Sequence, residues 1–240
     1  MTDTLPPSPT VDHLTTIFRR IAKGDIRIPA LQRNLVWDED QIISLLESIY
    51  KGFPIGSLLL WTVKSPLLRD AAYDYKIFLD TEITYPVNYV LDGMQRLSSL
   101  YGVFHYGERS DPRLNVHFDL DSGRFMHQSM LPPDSEASIP IRALMNPREL
   151  LDFQKTFLGE THVDRWMDGV IDLQARFQEY MVPIVTITRE DVNSVVEIFD
   201  RINNTGTKLD TVDFMRAVTW SNDFDLNGRD LLISITVWNS

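Results

Sequence analysis

The sequence predicts an α+β domain in which a mixed sheet is covered by helices. Three patterns predict it. Apolar residues recur at helical spacing in several segments, as in Ile42, Leu45, Leu46 and Ile49, while short apolar runs such as Ser57 to Val63 read as buried strands between them. A strand signal at Tyr89 to Leu91 runs through Asp92 and Gly93 directly into a second helical stripe. Two strand-like segments, Leu114 to Leu120 and Arg124 to His127, flank the turn residues Asp121, Ser122 and Gly123, which is a hairpin signature.

Taken in order, residues 1–9 are rich in Pro and Thr and are expected to be disordered. Leu14, Ile17, Phe18 and Ile21 predict a helix that Gly24 stops. Ile26 to Pro29 reads as a short extended arm. Asp38 with Gln41 three residues on forms a capping-box pattern at the head of the next helix, which Gly52 ends. Phe53 to Gly56 is a turn into the buried strand Ser57 to Val63, and a hairpin arm is expected around Tyr75 to Asp80. After the strand at 89–91, Leu97, Leu100, Tyr101 and Phe104 mark a helix. A Pro/Ser/acidic loop at 131–138 precedes two helices, 147–158 and 162–180, so that 140–180 reads as a helical insertion. Met181 to Thr188 is a strand. Val192, Val195, Val196, Phe199 and Ile202 predict a further helix, and a short one runs from Thr211 to about Trp220. The domain therefore spans 10–220, and 221–240 reads as the start of a truncated or separate C-terminal region.

Composition excludes several functions. There is no cysteine, so disulfides, thiolate catalysis and Cys-based zinc sites are ruled out. The five histidines, His13, His105, His117, His127 and His162, show no metal-ligand spacing within one helix. Neither a Walker A loop nor a GxSxG nucleophile elbow is present. No apolar run is long enough to span a bilayer and the N-terminus has no secretory pattern, so a cytoplasmic location is expected. The net charge of −11 argues against a broad DNA-backbone-binding face, because phosphate neutralisation by Lys and Arg supplies that affinity. The acidic pair Asp119 and Asp121 sits at the hairpin, where turn residues are expected.

Three segments carry candidate chemistry. In Asp92-Gly93-Met94-Gln95-Arg96, a buried strand ends, Gly93 permits an unusual backbone conformation and a helix begins. The first N–H groups of a helix lack internal partners and its dipole is positive there, so such an end suits an anion. Arg96 in the first turn can add a planar, two-pronged donor to phosphate, and Asp92 can hold Mg²⁺ or orient water. The structural alternative is that Asp92 caps the helix, Gly93 serves a turn and Arg96 pairs with a surface carboxylate. In the second segment, Ile28 to Trp37, Gln32 and Arg33 are polar within an apolar stretch, while Leu31, Val36 and Trp37 read as core. The structural alternative is that Gln32 caps backbone and Arg33 lies in solvent. In the third, Phe199 to Leu209, the run Asn203-Asn204-Thr205-Gly206 offers amides and a hydroxyl to a base, sugar or phosphate, or simply closes a helix at Asn204 or Gly206.

These blocks, in this order, resemble the GmrSD-type restriction N-terminal domain family, with its IPxxQRxxVW, DGQQR and FxRINxTGxxL signatures; Pro54-Ile55-Gly56 also fits between the first two. The resemblance covers residues 14 to 220. Asp92, Gly93, Gln95 and Arg96 match, and Met94 departs where the commonest motif has Gln. The resemblance implies a ParB/sulfiredoxin-like fold and a role in modification-dependent DNA restriction, a phage defence. It implies Mg²⁺-dependent hydrolysis of a nucleoside triphosphate with Asp92, Gln95 and Arg96 catalytic. Gly93, Arg96, Gln32, Arg33, Asn203, Asn204 and Thr205 would then hold the nucleotide, with Asp92 as the metal ligand. It also implies a nuclease domain or subunit as partner and modified DNA as a ligand. The alternative from another class is a binding module that recognises a DNA backbone or modified base and performs no chemistry.

Overall fold

A computed structural model of the protein describes residues 8–27, 35–64, 85–107, 110–132, 137–159 and 161–188, with 194, 195, 197, 198 and 201. Among these residues there are five α-helices and two sheets, a mixed α+β architecture. The larger sheet has the order β1 (Ser8–His13), β8 (Met181–Ile187), β3 (Leu58–Val63), β4 (Val87–Asp92) and β2 (Ile26–Arg27). Its pairings alternate: β1 with β8 antiparallel, β8 with β3 parallel, β3 with β4 antiparallel and β4 with β2 parallel. A smaller antiparallel sheet has the order β6 (Arg124–His127), β5 (Val116–Asp119), β7 (Ser138–Pro140).

The central strands are apolar on both faces because both faces are covered. On one side Leu58, Leu60, Val90 and Ile184 join the main core with α1 (Leu14–Ala22), α2 (Glu39–Tyr50), α3 (Met94–Phe104) and α5 (Val163–Glu179). On the other, Leu59, Trp61, Val87, Tyr89, Leu91 and Ile187 pack with Val195 and Ile198, which are helical. This explains why β3 and β4 read as continuous apolar runs rather than alternating ones. The capping box forms as its spacing requires: Asp38 Oδ1 accepts from the Gln41 amide at 2.9 Å and Gln41 Oε1 from the Asp38 amide at 3.1 Å. No helix among the described residues is long and apolar enough to cross a membrane.

Several element readings change. Ser8 and Pro9, within the stretch expected to be disordered, pair with Thr186 and Val185 in β1. Leu114 is not in a strand; it ends a 3-10 turn, Pro112–Leu114, and β5 starts at Val116. Helices α4 (Pro147–Thr156) and α5 match the two expected between 147 and 180. Phe177 of α5 lies in the same core as Phe104 and Phe125, with ring centroids 5.2 and 6.1 Å away. Gln174 ties α5 to Leu144 O at 3.0 Å. At the hairpin, Asp119 Oδ1 accepts from the Asp121 and Ser122 amides, as a turn residue should. Asp121 in turn accepts from Trp166 Nε1 and Arg165, which fastens the small sheet to α5. The expected arm at 75–80 and the helix at 211–220 lie outside the described residues.

Candidate functional site

The Asp-Gly-Met-Gln-Arg segment sits at the junction of β4 and α3, and the local sequence explains why. Strand β4 carries one extra residue at its end: Leu60 faces Val90, yet Leu59 faces Asp92, leaving Leu91 as a bulge. Bulges re-aim the side chains beside them, and this one sets the direction of Asp92. The chain then turns through Gly93, at φ +90° and ψ 11°, a left-handed conformation that disfavours a Cβ. Space is equally restrictive there, since a Cβ on Gly93 would fall 2.5 Å from Leu58 Cδ2 and 3.2 Å from Arg96 Nη2.

Gly93, not Asp92, is the N-cap of α3, and among the described residues no side chain caps it. Asp92 does not cap because its carboxylate is turned to Arg96: Nη2 donates to Asp92 Oδ2 at 3.1 Å. Arg96 does pair with a carboxylate, and that carboxylate is the motif's own. The pair is part exposed, with 19% of the Arg96 side chain and 43% of the Asp92 side chain accessible. Such a pair is worth at most about 1 kcal/mol, so it is readily opened.

The second anchor of Arg96 comes from the turn before β3. Nη1 donates to Ile55 O at 2.5 Å, and the guanidinium lies against Gly56, where a Cβ would meet Nη1 at 2.5 Å. Gly56 has φ +84°, so the turn needs glycine both for its backbone and for the room it leaves. The same loop is held from α5. Tyr180 Oη donates to Phe53 O at 2.7 Å, and Arg176 Nη1 donates to Tyr50 O at 2.9 Å while its guanidinium stands 4.8 Å above the Tyr50 ring. Burial pushes the Tyr180 phenol up from its ordinary value, with a hydrogen bond to the Ile55 backbone opposing it.

Gln95 reaches the first signature block. Its Oε1 accepts from the Val36 amide at 2.9 Å. Residues 35–38 are also gripped by Arg113, which donates to Trp37 O at 2.7 Å and Leu35 O at 2.9 Å. The Arg113 guanidinium beside Asp111 holds that carboxyl below its usual range. Val36 was expected in the core; its side chain is exposed and its backbone, instead, makes the contact. Leu35 is buried and Trp37 packs against the core.

Met94, the departure from the family motif, is buried in the main core at the start of α3. Of the candidate residues, Asp92, Gly93, Gln95 and Arg96 thus lie together. Gln32, Arg33, Asn203, Asn204 and Thr205 fall outside the described residues. The sequence reading missed Ile55 O, Arg113 and Tyr180 as supports of the site. Pro54-Ile55-Gly56 was the available signal for the first; nothing local marks the other two, which arrive from distant parts of the chain. Among the described residues no group of three acidic or histidine side chains could hold a metal by itself. Asp92, as one part-exposed carboxylate, suits Mg²⁺, which commonly takes one or two carboxylates and draws its other ligands from water and phosphate.

The profile of the GmrSD restriction endonuclease N-terminal domain matches residues 14–220. The chain belongs to that family. A GmrSD N-terminal domain is a restriction-system domain, and the matched residues include the junction described above. The chain is also similar to an uncharacterized protein of Methanocaldococcus jannaschii, 25% identical over 243 aligned positions that cover 85% of this chain and 41% of that protein. It therefore spans about two fifths of that relative's length.

Proposed function

We propose that this domain binds, and with Mg²⁺ hydrolyses, a nucleoside triphosphate in a modification-dependent, type IV DNA restriction system. The observation that supports this most is the placement of Arg96. Its guanidinium is held at the uncapped start of α3 between Asp92 and the Ile55-Gly56 turn, where a phosphate would meet both a planar donor and backbone N–H groups. In this reading Arg96 and the Gly93 region bind phosphate, and Gln95 keeps the first signature block against the site through Val36. In the same reading Gln32 and Arg33 from that block, and Asn203, Asn204 and Thr205 from the third, would contact the nucleotide. Asp92 would hold the Mg²⁺ ion, which when bound neutralises charge on the phosphate oxygens. Asp92 or Gln95 would orient the attacking water.

The fold that fits this strand–turn–helix phosphate site is ParB/sulfiredoxin-like. The partners in this reading are a nuclease domain or subunit and modified DNA, met in the cytoplasm. Met94, being buried, costs the site one polar side chain but not the backbone amides.

Phosphate release from nucleoside triphosphates by the purified protein with Mg²⁺ tests the proposal. Turnover is expected, and Asp92→Ala should abolish it while largely sparing nucleotide binding. Arg96→Ala should remove both. Affinity without turnover, with and without DNA present, assigns the non-catalytic binding module instead; absence of any affinity for nucleotide or phosphate refutes both.

A further inference from the structure

Arg96 does not face an incoming anion as a bare cation. Nη1 is committed to Ile55 O at 2.5 Å, and Nη2 to Asp92 Oδ2 at 3.1 Å. Gly56 and Gly93 leave the room that this position of the guanidinium needs, since a Cβ on either would crowd its nitrogens, at 2.5 and 3.2 Å. Asp92 therefore stands where one edge of the donor fork would meet phosphate, directly after the bulge at Leu91. A free polyphosphate approaching Arg96 meets this carboxylate as a like charge at close range, on a chain whose net charge is already −11. A phosphate that carries a divalent cation meets it differently. The cation gives the Asp92 oxygens a hard, positive partner, and the part-exposed carboxylate can turn toward it and leave Nη2 for phosphate.

Resting on the phosphate-binding reading above, we infer that Asp92 is a specificity-determining residue that makes the Arg96 site accept metal-complexed phosphate and reject the metal-free anion. The carboxylate acts as an internal competitor that only a cation displaces. Metal and phosphate consequently bind with positive coupling, each raising the affinity of the other.

Calorimetric titration of the full chain with inorganic triphosphate, with and without Mg²⁺, tests this. The wild type should bind the magnesium complex at least about tenfold more tightly than the free anion, as expected for relief of one close charge contact. Asp92→Asn keeps an oxygen acceptor for Nη2 and removes only the charge. It should bind free triphosphate at least about tenfold more tightly than the wild type does, and lose most of the magnesium gain. A wild type that binds both forms equally well overturns the selectivity while leaving the phosphate site standing, and this comparison needs no variant. An Asp92→Asn protein that is folded by circular dichroism but binds the free anion no more tightly overturns it too. If the wild type binds triphosphate in neither condition, the phosphate-binding reading falls with it.

Discussion

Gly56→Ala is the perturbation that isolates the placement of Arg96. An added Cβ would lie 2.5 Å from Arg96 Nη1, closer than real contacts allow. The atom it meets is the far end of a flexible side chain, so the guanidinium moves and the backbone stays. The bond from Nη1 to Ile55 O is then lost. Two costs add. An L-residue at φ +84° carries about 1–2 kcal/mol of strain. A hydrogen bond from a charged donor contributes about 1.5–3 kcal/mol, and water recovers part of it because the side chain is not fully buried. The total is about 2–4 kcal/mol, which for a domain of this size lowers Tm by about 5–15 °C. Gly52→Ala is the matched control: its φ is +71°, but none of the described residues lies within 4 Å of the added Cβ, so it incurs strain alone. Urea denaturation should show Gly56→Ala to be the more destabilised by about 1–2 kcal/mol. Calorimetry should show that only Gly56→Ala weakens binding of magnesium triphosphate, by about tenfold or more. Equal stability loss in the two variants, with triphosphate affinity unchanged in both, would refute the argument that this glycine sets the donor.

Three other outcomes follow from the geometry. Arg113→Leu removes the donors to Leu35 O and Trp37 O; denaturation should register a loss of about 2–4 kcal/mol, and hydrogen exchange at the Val36 amide should accelerate. Asp38→Ala removes the carboxylate that accepts from the Gln41 amide, leaving only the backbone half of the capping box on α2, and should cost about 1 kcal/mol in the same assay, with triphosphate affinity unaltered. Burial, with Arg142 and His127 nearby, lowers His117 to about 4, and its Nδ1 has no hydrogen-bond partner among the described residues. The unfolded chain therefore binds the extra proton between about pH 6.5 and 4, so this contribution is fully present above 6.5 and is lost as pH falls through that window. The loss should be on the order of 1–3 kcal/mol after allowing for partial exposure, and a His117→Phe protein should show a flatter stability profile over the same range.

Much of this protein is legible in its sequence because the determining interactions are local. The stripes of α1 and α2, the capping box at Asp38 and Gln41 and the hairpin at Asp121 to Gly123 each depend on residues within a turn or two. The strand–turn–helix at Asp92 to Arg96 is of the same kind, since a left-handed Gly93 between a buried strand and an apolar helix is specified by five neighbouring residues. What Arg96 touches is not specified that way. Ile55 O comes from 41 residues earlier, the Tyr180 that steadies Phe53 from 127 residues later, and the Arg113 that grips Leu35 from 78 residues away. The core reading of Val36 and the capping alternative for Asp92 fail for a related reason. An apolar side chain is assigned inward by pattern alone, and an acidic residue before a helix is assigned to its cap by position alone. Only the packed structure shows that Val36 offers its amide to Gln95 and that a bulge turns Asp92 away from the cap and onto Arg96. Sequence by itself determined the elements and the motif at their junction, because hydrogen-bond periodicity and turn sterics act over a few residues. Tertiary structure alone decided the second anchor of Arg96, at Ile55 O, because that carbonyl reaches the motif only when the sheet and α5 close around the 53–56 turn.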